Sequence, residues 1–303
     1  MKTIVCKNEA GFSMVFAQQF TGGFVLTDAT GILETHADVI RTANAMGDGA
    51  IWNNSRMPER EITLSLRDDP ATDHRINRMR LFRLFPLREP VTLTYSDGNT
   101  ARCITVYCES IEAELKRSSD SYKITLIAPD PFFRDTDMQD VNISSWEDAW
   151  EWPVEGVSEN GLFEFAAATP EEDVLEYGTR TEDLIINCEN SGDVPCGMVV
   201  TFAATGATDT PGLLNVDTGE RMQVNYQMHA GDAITVDTRF GHRTAVLTSG
   251  GTETNVFRYV DAGSVFLQLR PGTNNFTATI GGQAATSADL DITIRYENSY
   301  IGA

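Results

Sequence analysis

Carboxylates are the most abundant chemistry-bearing groups in this chain, 44 Asp and Glu against 23 Lys and Arg. Two carboxyl groups flanking a scissile bond would give the acid/base pair of a glycoside hydrolase. Asp135/Asp137, Glu171/Glu172/Asp173 and Asp289/Asp291 have the required proximity in sequence. With so many acids such spacings arise by chance, and acids are as a rule solvated. The four histidines, His36, His74, His229 and His242, are scattered, and none has the Ser or Cys context of a nucleophile and its base. No G-x-S-x-G elbow, HExxH, P-loop, G-x-G-x-x-G or paired CxxC is present, so the common hydrolase, zinc-protease, nucleotide and redox signatures are missing. The sequence therefore nominates no catalytic residue, no metal ligand and no cofactor, and a non-enzyme is expected.

Five cysteines, Cys6, Cys103, Cys108, Cys188 and Cys196, cannot close into a complete set of internal bridges. They read as thiols of a reducing compartment, acting as small buried hydrophobes. The opening MKTIVCKNEAG has no apolar run before Lys7 and Asn8, which predicts synthesis in the cytosol. Apolar runs such as Met14 to Ala17 stop far short of the roughly 20 residues a membrane helix needs, so no membrane insertion is expected.

Two features suit binding better than catalysis. Trp146, Trp150 and Trp152 place three of the four tryptophans in SSWEDAWEW. Flat rings of this kind stack on sugars or fill a partner's pocket, and equally pack an interdomain patch. The second feature is a basic helix expected from Asp69-Pro70 to Phe85-Pro86, with Asp as N-cap and Pro at the first helical position. Its Ile76, Met79, Leu84 and Phe82 or Phe85 read as one broad apolar face. Arg75, Arg78, Arg80 and Arg83 stand on its other sides. They are a solvated exterior or, together with Arg56 and Arg60, cations that dock an acidic neighbour.

The elements around these residues are strands. Ile62/Leu64/Leu66, Val91/Leu93/Tyr95, Ile104/Val106/Cys108 and Tyr122/Ile124/Leu126 alternate with polar residues, the pattern of half-buried antiparallel strands. Ala10 to Arg60 is rich in Gly, Thr, Asp and Asn, with turns at Gly22-Gly23, Gly31 and Gly47-Asp48-Gly49. This stretch predicts long hairpins or arms, which gain order by lying on another chain. The second half reads as strands separated by turns every 8 to 12 residues or so, including Leu162 to Phe165, Val256 to Val260 and Leu290 to Tyr296. That spacing predicts a β-sandwich or jelly roll.

Charge divides the chain. Residues 1–135 carry 16 basic against 18 acidic side chains, and residues 136–303 carry 7 against 26. With the prolines of Ala128-Pro129-Asp130-Pro131, the step predicts two mainly β domains, 1–135 and 136–303. A surface as negative as the second half repels phosphates, so it tolerates nucleic acid nearby without binding it.

His229-Ala-Gly-Asp-Ala-Ile-Thr-Val-Asp-Thr238, Phe257-Arg-Tyr-Val260, Gly263 to Asn274 and the ending Ile294-Arg-Tyr-Glu-Asn-Ser-Tyr-Ile-Gly302 resemble the C-terminal pattern of the distal tail protein (Dit) family of long-tailed siphophages, the siphovirus-type tail component. Glu59 to Leu64, Leu84-Phe85-Pro86 and Tyr122 to Phe133 resemble the family's first domain in order and spacing. The resemblance implies a β-sandwich or barrel-like ring domain with one α-helix, followed by a galectin-like or carbohydrate-module-like β-sandwich. It further implies a homo-hexameric ring at the distal end of the virion tail, made in the host cytoplasm. One face would meet the tail tube protein and the other the hub or baseplate proteins, with DNA passing through the lumen unbound. A carbohydrate-binding module touching a host surface glycan through Trp146, Trp150 or Trp152 is the alternative.

Overall fold

The alternating segments of the first half form strands with their apolar positions inward. The structure, a computed structural model, describes residues 2–44, 46–114, 119–142, 144–148, 178–182, 185–284 and 290–303. The chain divides into two units. Unit 1 holds Met1–Met138, Ser191–Pro195 and Glu297–Ala303, and unit 2 holds Gln139–Asn190 and Cys196–Tyr296. The first passage from one to the other, at 138/139, falls close to the 135/136 step in charge. The chain then crosses three more times, at 190/191, 195/196 and 296/297.

Unit 1 runs through β1 (Thr3–Asn8), β2 (Ser13–Ala17), β3 (Phe24–Thr30), β4 (Asp38–Ala43), β5 (Ala50–Arg56), β6 (Arg60–Asp68), helix α1 (His74–Leu84), β7 (Pro90–Ser96), β8 (Ala101–Glu114), β9 (Ser121–Ala128) and β10 (Phe133–Asp135). Antiparallel pairing gives the order β2-β1-β7-β8-β9-β6-β3, with β10 between β8 and the late strand Ser299–Tyr300. The long β8 pairs β7 over residues 101–107 and β9 over 107–114, and its register shifts between Cys108 and Ser110. An extra residue there bends the strand. Ile62, Leu64, Leu66, Val91, Leu93, Ile104, Val106, Ile124 and Leu126 are buried in one core, as their alternation predicts, and α1 adds Leu81, Leu84 and the following Phe85.

The helix begins four residues later than expected. Asp69 takes the Ala71 amide on its side chain and the Thr72 amide on its carbonyl, closing a turn around Pro70. Asp73 is the N-cap, accepting from the backbone of Arg75 and Ile76.

Unit 2 is a sandwich of two antiparallel sheets. One runs Gln139–Asn142, Leu290–Tyr296, Cys196–Ala204, Ala233–Asp237, Thr244–Ser249 and Thr252–Asn255; the other runs Ile186–Asn190, Gly272–Ile280, Pro211–Asn215 and Arg221–Gln223. Met198, Val200, Phe202, Ile234 and Ile292 from the first meet Cys188, Leu213, Met222 and Phe276 from the second in one core. Leu290 to Tyr296 is the strand its alternation predicts. Val256 to Val260 is not a strand: Phe257–Tyr259 is a turn of 3₁₀ helix, opened where the Asn255 side chain accepts the Phe257 amide. An Asx turn of this kind competes with strand continuation. The expected strand Leu162 to Phe165 lies outside the described residues.

Candidate assembly surfaces

Of the stretch expected to form arms, β4 and β5 are a two-stranded ribbon that, among the described residues, pairs only with itself. Every residue of the ribbon except Asp38 is exposed. Ile51 and Trp52 keep 61% and 64% of their surface in solvent, and Val39 and Ile40 about as much. Consecutive residues of a strand point to opposite faces. The pairs Val39-Ile40 and Ile51-Trp52 therefore put apolar side chains on both faces. An isolated hairpin is marginal in water, and this one leaves its apolar side chains in solvent.

Helix α1 faces the core along Asn77, Leu81 and Leu84, which corrects the apolar face read from the sequence. Ile76, Met79 and Phe82 are each more than half exposed, and Leu87 beyond the helix is more exposed still. The rotation is set by a buried polar hub. Asp68, fully buried at the end of β6, accepts from the Asn77 amide and sits 2.7 Å from His74 Nδ1. Asn77 Nδ2 also donates to Thr72 Oγ1 at 2.7 Å and to the Gly23 carbonyl. Gly23, at φ +96°, leaves room for this: a Cβ there would stand 2.6 Å from Asn77 Oδ1. An unpartnered buried amide or carboxylate is costly, so the hub overrides the preference of Ile76 and Met79 for burial.

The hydrogen bond to Asp68 raises the His74 pKa above its ordinary 6.5, burial works against it, and the charges of Asp68, Asp120 and Asp73 add to the rise. A pKa raised in the folded state gives stability that is complete below about pH 6.5 and disappears as pH climbs through the folded value. The urea midpoint of unit 1 is thus expected to fall between weakly acidic and mildly alkaline pH. His74→Gln should flatten that fall, and an unchanged slope in the variant would remove His74 as its cause.

The interface cations expected from sequence divide in two. Arg75 and Arg83 are exposed and Arg78 and Arg80 half-buried; the Arg83 guanidinium lies 5.1 Å above the Phe12 ring, and Arg80 Nη1 donates to the Gly22 carbonyl at 3.0 Å. Arg56 is exposed on the ribbon, 3.5 Å from Asp38. Arg60 is turned inward, which takes it off the surface. Its Nε donates to the Pro131 carbonyl and its Nη1 to those of Gly31 and Glu34, each at 2.8 Å, and Nη2 reaches the Ile301 carbonyl. Its guanidinium also rests 5.1 Å from the Phe133 ring centroid. The sequence placed it among the docking cations of the surface, whereas it shares the inward face of β6 with Ile62, Leu64 and Leu66.

Residues 297–303 belong to the same neighbourhood. Arg102 donates to the Gly302 carbonyl at 2.6 Å and stacks on Tyr300 at 3.5 Å. Asn298 Nδ2 donates to Asp135 and Ser191, and the Ile301 amide to Asp193.

The groups with chemical potential are held apart. Asp135 accepts from Asn298, Asp137 from Thr136, and Glu171, Glu172, Asp173 and Asp289 lie outside the described residues. His36 pairs with Asp38 and His229 with Asp232, both at 3.6 Å. Burial pushes the Cys103 thiol up to about 11 and Cys188 to about 12, and raises Cys6 and Cys108 as well. Such thiols are poor nucleophiles at neutral pH. Among the described residues no three of His, Cys, Asp and Glu gather as a metal site, and no helix is long and apolar enough to cross a membrane. Trp146 lies on Ser144–Asp148, paired in register with Arg180, while Trp150 and Trp152 are outside the described residues.

Sequence reasoning anticipated an arm in this region and missed which of its side chains matter. The available signal was two adjacent apolar pairs, Val39-Ile40 and Ile51-Trp52, on either side of Gly47-Asp48-Gly49, since one-sided strands alternate.

Residues 191–300 match the family model described as the siphovirus-type tail component, C-terminal domain. No curated protein sequence matches the chain. Among solved structures it is similar to the phage protein SPP1 Dit (gp 19.1), described as a paradigm of hub adsorption apparatus in phages that infect Gram-positive bacteria. That likeness has 12% identity and a TM-score of 0.66, and covers 98% of each chain. A chain of the phage P2 baseplate, activated with Ca, is similar at 12% identity and a TM-score of 0.55, covering 100% of this chain and 99% of that one. A chain of the same phage's baseplate activated with Sr gives 11% identity and 0.53, covering 100% of both. At such identities the likeness establishes a shared fold from end to end, with two β-rich units.

Proposed function

We propose that this Dit-like phage tail protein, which carries the siphovirus-type tail component domain at 191–300, works by assembly and not by turnover. Six copies close into a ring through unit 1 at the distal end of the tail tube. The ring joins the tube on one face to hub or baseplate proteins on the other, and unit 2 is presented to those neighbours.

The β4–β5 ribbon is the observation that carries this reading. It has apolar side chains on both faces and no core of its own, so it requires cover that a closed ring of identical subunits supplies. Heterologous contacts that close need two different, complementary surfaces on each copy, and unit 1 offers the ribbon and the outward face of α1. The net charge of −21 supports passage of DNA without adhesion, because like charge raises the energy of close approach. The six-fold number and the two neighbours follow from the family resemblance of the sequence.

Negative-stain images of the purified full chain are expected to show six-fold rings. Single particles without rotational order at every concentration would overturn the reading, as would steady product release from host cell walls.

A further inference from the structure

We infer that residues 191–195 and 297–303 form a clasp that makes unit 1 competent for assembly only in copies that also carry unit 2, a device that rests on the ring reading and adds an order of events to it. Both segments belong to unit 1, yet the chain reaches them only through unit 2. Synthesis runs from low to high residue number. Unit 1 therefore lacks its closing residues until Gln139–Asn190 and then Cys196–Tyr296 have been made.

The late residues fill places that the early ones leave open. Tyr300, 9% exposed, belongs to the buried core of unit 1, and Ala303 packs against that core. Ser299–Tyr300 pairs with β10, Tyr300 opposite Phe133, while the other side of β10 meets β8. Without the late strand β10 has an unpaired edge, which is open to other chains. Asn298 is fully buried, and its Nδ2 donates to Asp135 at 2.9 Å and to Ser191 at 3.1 Å. The amides of Asp193 and Val194 donate to the Ser299 carbonyl, and the Ile301 amide donates to the Asp193 carboxylate. The two segments thus hold each other as well as β10. Arg60 and Arg102, on strands made early, donate to the Ile301 and Gly302 carbonyls, made late. Arg60 is 7% exposed, and a buried cation short of an acceptor is unfavourable. Its other bonds go to Gly31 and Glu34, ahead of β4, while Arg60 itself follows β5. The clasp therefore reaches both roots of the ribbon on which the ring reading rests.

A chain ended after Tyr296 tests this beside the full chain. It is expected to form no rings where the full chain forms them, and in a mixed expression its tagged copies should stay out of rings built by full-length ones. Hydrogen exchange should show protection lost in unit 1, at residues 31–34 and on β10, and kept in unit 2. In the full chain, Tyr300→Asp should raise the concentration needed for assembly by about tenfold or more, because a carboxylate cannot take the place of a ring in the core. Tyr300→Phe should not. Truncated copies found in rings would overturn the clasp and leave the ring reading standing. A full chain that forms no rings would overturn the ring reading, and protection unchanged by the truncation would overturn the clasp on its own.

Discussion

Arg60→Ala is expected to destabilise unit 1 by about 3–5 kcal/mol and to lower its melting transition by roughly 10 °C, leaving the transition of unit 2 in place. Arg60 opens β6, yet its guanidinium gathers carbonyls from three other parts of the chain: Gly31 and Glu34 after β3, Pro131 before β10, and Ile301 in the returning tail. Truncation would leave four partly buried carbonyls without this donor and open a space beside the Phe133 ring. Each orphaned group costs on the order of 1–3 kcal/mol, less whatever water recovers. Burial pushes the Arg60 pKa down, but an arginine keeps its charge. Lysine is a poor substitute, because one ammonium cannot send donors along the fork that the carbonyls define. Calorimetry of the wild type, Arg60→Ala and Arg60→Lys checks this, together with the rate at which a carboxypeptidase trims the tail. A loss under about 1 kcal/mol would mean that water replaces the guanidinium and that the tail is held by Arg102 and Asp193 without it.

The same neighbourhood explains what could be read in the sequence and what could not. The strands of unit 1 were legible because Ile62, Leu64 and Leu66, like their counterparts on β7, β8 and β9, obey a period of two. Arg60 belongs to that period, two positions before Ile62, but its charge disguised it as a surface group. Asn77 misled in the same way. It occupies the core-facing row of α1 with Leu81 and Leu84, and reading it as polar rotated the predicted face toward Ile76 and Met79. In both cases a deciding partner is remote in sequence, Ile301 for Arg60 and Gly23 for Asn77. Long-range hydrogen bonds leave no periodic trace. The return of residues 297–303 to unit 1 was hidden for a related reason, since charge and composition report on neighbours along the chain and not across the fold. The ribbon was legible as an arm from its turn residues, and which of its side chains stay in solvent was not, because exposure is set by what packs around the strands.

Phe16→Ala is expected to be about as damaging, at about 3–5 kcal/mol, and to act on assembly through the fold. Phe16 is fully buried on β2. Its ring meets Phe24 of β3 edge-on at 6.2 Å and lies near-parallel to Phe85, just past α1, at 6.4 Å. Phe24 in turn meets Tyr122 of β9 at 5.9 Å. This line of rings fastens the end of the helix and the strand that leads into the ribbon to the centre of the sheet. Removing Phe16 takes away the burial of one large ring and two aromatic contacts, the latter worth roughly 0.5–1.5 kcal/mol each beyond area. Phe16→Leu keeps most of the volume and should lose far less. If ring closure uses surfaces held by this line, rings of Phe16→Ala should disperse on warming while unit 2 still melts at its wild-type temperature. The two transitions can be followed in one calorimetric scan and matched to images taken at each step. Equal shifts of both transitions would show that the units do not unfold independently. Rings that persist past the melting of unit 1 would show that the contacts between copies lie elsewhere than on this unit.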